Sequence, residues 1–167
     1  MDVLADRSKF FEELGRTISR WALVEWSLCH IFCHSLGLTL ESYSAPAAFF
    51  AVINFRSKLD MVHAALRIQI ADAEMLAEWT TLHKRLMTLS KARNKLAHGM
   101  VLLPVGGKPV LAGHIGDPHT HPKSSKSSIF SGLSTKDFSK LQSEFSSLQT
   151  DLDAFRTKIQ PPPSQSV

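Results

Sequence analysis

Apolar residues recur along this chain at steps of three and four positions in four separate runs, and each run predicts an amphipathic helix. In the first, from about Asp6 to Ser35, the stripe is Leu14, Ile18, Trp21, Glu25, Leu28 and Phe32, with Gly37 as the stop. The second starts at Pro46, after a Ser44-Ala45-Pro46 opening suited to a capped N-terminus, and carries Phe55, Leu59, Val62, Leu66 and Ile70 to about Ala71. The third, from about Asp72 to His98, has two parallel stripes. Trp79, Leu82, Leu86, Leu89, Arg93 and Leu96 make the apolar one, whereas Lys84, Met87, Lys91, Asn94 and His98 make a mostly polar one. Gly99 is read as the stop of this helix. The fourth begins near Thr135, whose hydroxyl is suited to capping, and repeats Phe138, Leu141, Phe145, Leu148, Leu152 and Phe155 before Pro161-Pro162-Pro163 ends it.

Between the third and fourth helices the period changes. Met100 to Leu103 and Val110 to Ala112 are short apolar runs around a turn-rich Pro104 to Pro109 spacer, which predicts a small hairpin of edge strands. A polar, Ser-rich stretch from Gly116 to Ser134 follows and reads as a surface loop. The pattern therefore predicts an all-α fold, a four-to-five-helix up-and-down bundle with a small β-hairpin between the third and fourth long helices. At 167 residues, residues 1–160 are expected to form one domain and 161–167 a disordered tail.

Charge changes the picture locally. The chain holds 19 Lys+Arg against 15 Asp+Glu, a formal +4, compatible with nucleic acid without requiring it. From Trp79 to Gly116, however, there are Lys84, Arg85, Lys91, Arg93, Lys95 and Lys108 and no acidic residue, so a phosphate would be drawn there. No stretch has the roughly 18 apolar residues of a membrane span, and the start lacks the apolar core of a signal peptide. Cys29 and Cys33, four apart on one helix, make a poor disulfide pair. A soluble cytoplasmic protein in a reducing compartment is expected, with no membrane partner.

Two clusters have the residue types of metal sites. Cys29-His30-Ile31-Phe32-Cys33-His34 falls within one helix, with no further cysteine to complete a ligand set, and core packing is its reading. His114, Asp117, His119 and His121 sit in the loop after the hairpin; such loops can hold zinc or nickel and also arise without function. No metal or other cofactor enters the main reading. Trp21, Trp26 and Trp79 have core-compatible spacing and are read as packing residues.

The richest chemistry lies in Arg93-Asn94-Lys95-Leu96-Ala97-His98-Gly99, which puts an arginine, an amide and an imidazole in the last turn of the third helix. Asn94 and His98 share a face, but Arg93 and His98 are separated by roughly 140° on a regular helix, so the arginine must reach around. Alternatively Asn94 and His98 are solvated residues at a helix end, where the macrodipole favours a cation. Arg93 also interrupts the apolar stripe, as Glu25 does on the first helix, and an interhelical Glu25–Arg93 ion pair is expected from that symmetry.

Arg-Asn, three residues, then His-Gly at the end of the third helix of a small bundle resembles the HEPN superfamily, whose motif is an arginine, four to six residues and a histidine. Arg93 and His98 satisfy that motif, Asn94 holds the polar position that commonly follows the arginine, and the looser likeness covers most of Phe10 to Phe155. The resemblance implies a metal-independent endoribonuclease with Arg93, Asn94 and His98 as catalytic residues. His98 would assist proton transfer, Arg93 would hold the scissile phosphate, and Asn94 would orient one of them. Lys84, Arg85, Lys91 and Lys95 are the candidate RNA-binding residues. One chain supplies one such histidine, so a homodimer with a composite cleft is expected. Members of the family include toxins held by a nucleotidyltransferase antitoxin, components of RNA-targeting defence, and proteins without nuclease activity. The competing reading is a noncatalytic helical module that binds RNA or a protein partner.

Overall fold

The computed structural model describes residues 3–38, 41, 43–103, 108–112 and 132–159. They form α1 (Val3–Ser35), α2 (Ser44–Ala51), α3 (Phe55–Gln69), α4 (Ala73–His98), β1 (Met100–Leu102), β2 (Val110–Ala112) and α5 (Thr135–Lys158). This is the all-α bundle with one hairpin that the periodicity predicts. In the hairpin the strands are antiparallel, with Met100 opposite Ala112, Val101 opposite Leu111 and Leu102 opposite Val110. Leu133 extends it by one bridge, exchanging backbone hydrogen bonds of 2.8 and 2.9 Å with Leu111. The hairpin turn at 104–107, the loop at 113–131 with its histidines, and the tail from 160 lie outside the described residues.

The second predicted helix is two helices. Val52 is extended (ψ 112°), and Asn54, also extended, accepts the Arg56 backbone N–H on its side-chain oxygen at 2.8 Å. Two β-branched residues followed by a strong N-cap former outweigh the apolar rhythm, so the chain breaks and restarts. Helix α2 begins at Ser44 itself, and Tyr43 at the N-cap position makes no side-chain cap bond. Past the break, Phe55, Leu59, Val62, Leu66 and Ile70 are all buried, as the pattern requires.

The other helix ends have identifiable causes. Gly37, with φ 68°, closes α1: its N–H donates to the His34 carbonyl at 3.0 Å and the Leu38 N–H to that of Cys33 at 2.9 Å, the paired bonds of a Schellman motif. Among the described residues Gly37 alone has a positive φ, so Gly99 does not end α4 in this way, and the chain passes directly from α4 into β1. Asp72 caps α4 by accepting the Glu74 N–H at 3.0 Å. At α5 the cap is Ser134 rather than Thr135. The Ser134 N–H (2.7 Å) and hydroxyl (2.6 Å) both donate to Asp137, whose carboxylate takes the N-cap N–H as the acidic half of a capping box does. These bonds from Ser134 hold the Asp137 carboxyl below its usual value. Their stabilisation is therefore present above the usual carboxylate range and is lost as pH falls through the lowered value. Ser134→Ala is expected to cost about 1 kcal/mol at neutral pH, measured by urea unfolding, with a smaller cost in acid.

The chain divides into two compact units, one comprising residues 1–21 and 91–144 and the other residues 22–90 and 145–167. In the first, Phe10, Thr17, Trp21, Leu96, Leu111, Phe138 and Leu141 are buried, and the Phe10 and Phe138 rings lie 5.1 Å apart. Here the predicted α1 stripe is displaced. Ile18 is 45% exposed and Thr17 is buried instead. Thr17 tolerates burial because its hydroxyl donates to the Glu13 carbonyl at 2.6 Å and accepts from the Gln142 amide at 3.0 Å. In the second unit the α5 residues Phe145, Leu148, Leu152 and Phe155 are fully buried, as are Leu28, Leu59, Leu66, Trp79 and Leu86. Each such side chain contributes about 2 kcal/mol by its burial. Trp26 departs from its predicted packing role: it is 44% exposed and stacks on Phe50, ring centroids 5.7 Å apart.

Candidate functional site at the end of α4

Helix α4 stays regular through His98, so the last turn keeps ideal spacing and brings Asn94 and His98 to one face, both exposed. Arg93 is half-buried, and its Nη1 donates to the Asn94 side-chain oxygen at 3.4 Å, the long end of hydrogen bonding. Helix geometry separates the arginine and histidine Cβ positions, yet this contact draws the guanidinium to Asn94's side. With its carbonyl oxygen taken by Arg93, the Asn94 amide nitrogen is left as a donor. Arg93, Asn94 and His98 thus lie within the last six residues of α4, with the guanidinium and the amide in contact.

A helix C-terminus carries partial negative charge, which by itself repels phosphate. Exposed Lys91 and Lys95 share this end with Arg93 and His98 and reverse the local sign. Lys84 and Arg85 belong to the other unit. Lys84 is exposed, but Arg85 is committed: its guanidinium pairs with Asp151 and reaches the Ser147 hydroxyl at 3.4 Å, both on α5. The acid-free window of the sequence thus receives an acid from a helix 66 positions away.

Glu25 has a buried partner on α3. Lys58 on α3 donates to its Oε2 at 2.9 Å, with the two side chains only 8% and 13% exposed for lysine and glutamate respectively. The ammonium also lies 5.3 and 5.0 Å from the ring centres of Phe49 and Phe50. Lys58 occupies the buried face between Phe55 and Val62, so a lysine at an apolar position was the available signal. The expected Glu25–Arg93 pair joins residues assigned to different units; within its own unit Glu25 serves Lys58.

The Cys29 to His34 run is built into the second unit. Both cysteines are buried, and burial together with the neighbouring Cys33 pushes the Cys29 thiol up to about 12. His34 Nε2 meets the Ile159 carbonyl at 2.6 Å, and His30 Nδ1 meets Arg156 at 3.3 Å. Burial first, then Arg156, lowers the His30 pKa. These side chains join α1 to α5. No described helix is long and apolar enough to cross a membrane. No family model, no curated protein and no solved structure matches the chain.

Proposed function

We propose that this chain is a metal-independent endoribonuclease of HEPN type, acting as a homodimer whose composite cleft receives Arg93, Asn94 and His98 from each subunit. The observation that supports it most is the Arg93–Asn94 contact at the end of α4, beside an exposed His98 and exposed Lys91 and Lys95. In the proposed reaction one His98 takes the proton of a ribose 2′-hydroxyl, and the oxygen attacks the adjacent phosphorus. The bond to the 5′-oxygen breaks, and the second subunit's His98 returns a proton to that leaving oxygen. The products are a 2′,3′-cyclic phosphate and a 5′-hydroxyl, with no water consumed and no metal required. Arg93 neutralises charge on the phosphorane, and the Asn94 amide donates to a non-bridging oxygen. A cytoplasmic toxin or defence component, with a nucleotidyltransferase antitoxin as partner in the toxin case, is the setting this chemistry suits.

Incubation with single-stranded RNA in excess EDTA is expected to give cyclic-phosphate ends, at a rate unchanged from metal-containing buffer, from a species with the mass of two chains. Intact RNA, or cleavage abolished by EDTA, overturns the reading. One observation favours the alternative of a noncatalytic module for RNA or a protein partner: the exposed Trp26–Phe50 ring pair, with Ile53 nearby in sequence and 97% exposed, is the kind of surface that binding uses. Tight RNA binding without cleavage is the result that would select it.

A further inference from the structure

In the second unit, fully buried Trp79 on α4 donates its indole N–H to Nδ1 of His63 on α3 at 3.0 Å. The His63 ring lies 4.9 Å from that of His83, on α4, whose Nε2 is buried with no hydrogen-bond partner among the described residues. An indole nitrogen can only donate, so His63 Nδ1 must be the unprotonated nitrogen and neutral His63 carries its proton on Nε2. That tautomer argues against a metal on Nε2, which would need the proton moved to Nδ1, directly against the indole N–H. It also makes the neutral state special. A proton added to His63 must go to Nδ1, where it displaces Trp79, and a proton added to His83 puts a charge against the neighbouring imidazole. We propose that the His63–His83 pair, latched by Trp79, is an acid-sensitive catch that holds α3 to α4 while the His83 ring is neutral and loosens when that ring takes up a proton.

The charges around the catch agree with this. Burial first, and then His63, hold the His83 pKa below its ordinary value; Asp60 opposes the shift and Arg56 adds to it. Asp60 and Arg56 are ion-paired with each other on α3 at 3.1 Å, so their effects on His83 offset. From α5, the side chain stacked on Trp79 is the apolar Phe155, ring centroids 5.7 Å apart. For a lowered histidine the unfolded chain binds the proton first. The catch is therefore at full strength above the ordinary imidazole range, near about 6.5, and is lost as pH falls through the lower folded value.

The test compares thermal melts of the full chain, His63→Gln and His83→Gln at about pH 7.5 and about pH 5.5, and follows the Trp79 indole signal of the full chain by NMR over that range. Glutamine at 63 offers the indole a carbonyl acceptor and does not titrate. The full chain is expected to lose about 3 °C more on acidification than either variant, and the indole signal to move with pH as its hydrogen bond is given up. His30, whose pKa is also lowered, is present in all three proteins and cancels from the comparison. Equal losses in the three proteins, or an indole signal that stays fixed, overturns the proposal. If a variant does not fold, the indole signal decides.

Discussion

His98→Ala is expected to lower RNA cleavage by about 10²- to 10⁴-fold, the contribution of a positioned acid or base, while leaving the fold intact. The loss follows from the proposed chemistry, in which the same residue from two subunits serves as base and acid, so one substitution removes both groups at once. The intact fold follows from the structure: His98 is the last residue of α4 and is exposed, and a surface change of this kind shifts stability by about 0.5 kcal/mol or less. Cleavage rates and thermal melts on the same preparation check both. If the variant cleaves like the parent, His98 has no part in the reaction. If it fails to melt cooperatively, lost activity says nothing about chemistry, and His98→Gln, closer in size, replaces it.

Lys58→Ala is expected to destabilise the chain by about 3 kcal/mol, within the range for breaking a buried pair from one side. The Glu25–Lys58 pair is nearly closed to water, so the desolvation of both charges is already sunk into the native state. Removing the ammonium leaves a carboxylate without the partner bonded to its Oε2, and it also removes the cation over Phe49 and Phe50 and the packed methylenes of the lysine stem. For a chain of this length the melt should fall by about 10 °C. A fall of about 1 °C or less would mean that the pair only balances its own cost of burial.

How much of this was legible in the sequence depended on whether a feature is local. The α5 stripe was readable because Phe138, Leu141, Phe145, Leu148, Leu152 and Phe155 keep one period without interruption, and all six are buried. The break between α2 and α3 was hidden because no glycine or proline marks it. Its signals, Val52-Ile53 and then Asn54, sit inside an otherwise apolar run. The burial of Thr17 and Lys58 leaves no mark in a hydrophobic period, because what makes these polar residues burialable is a partner on another helix. The same holds for Trp79, His63 and His83, whose contact requires α3 to lie against α4. At the end of α4 the residue types and the shared face of Asn94 and His98 could be read from spacing alone. The lean of Arg93 onto Asn94 and the capture of Arg85 by Asp151 depend on side-chain conformation and on α5, and neither has a signature along the chain.

The joint at Val52 to Asn54 sets where this molecule can change length. One residue spliced into α3 would turn every side chain beyond it by about 100° and carry Leu59, Val62 and Leu66 off the buried face. The same residue placed beside Ile53, which is 97% exposed, enters a stretch that belongs to no helix, and Asn54 restarts the helical count from zero. Growth at that point leaves the internal register of α3 untouched, which makes it the natural seam for a graft.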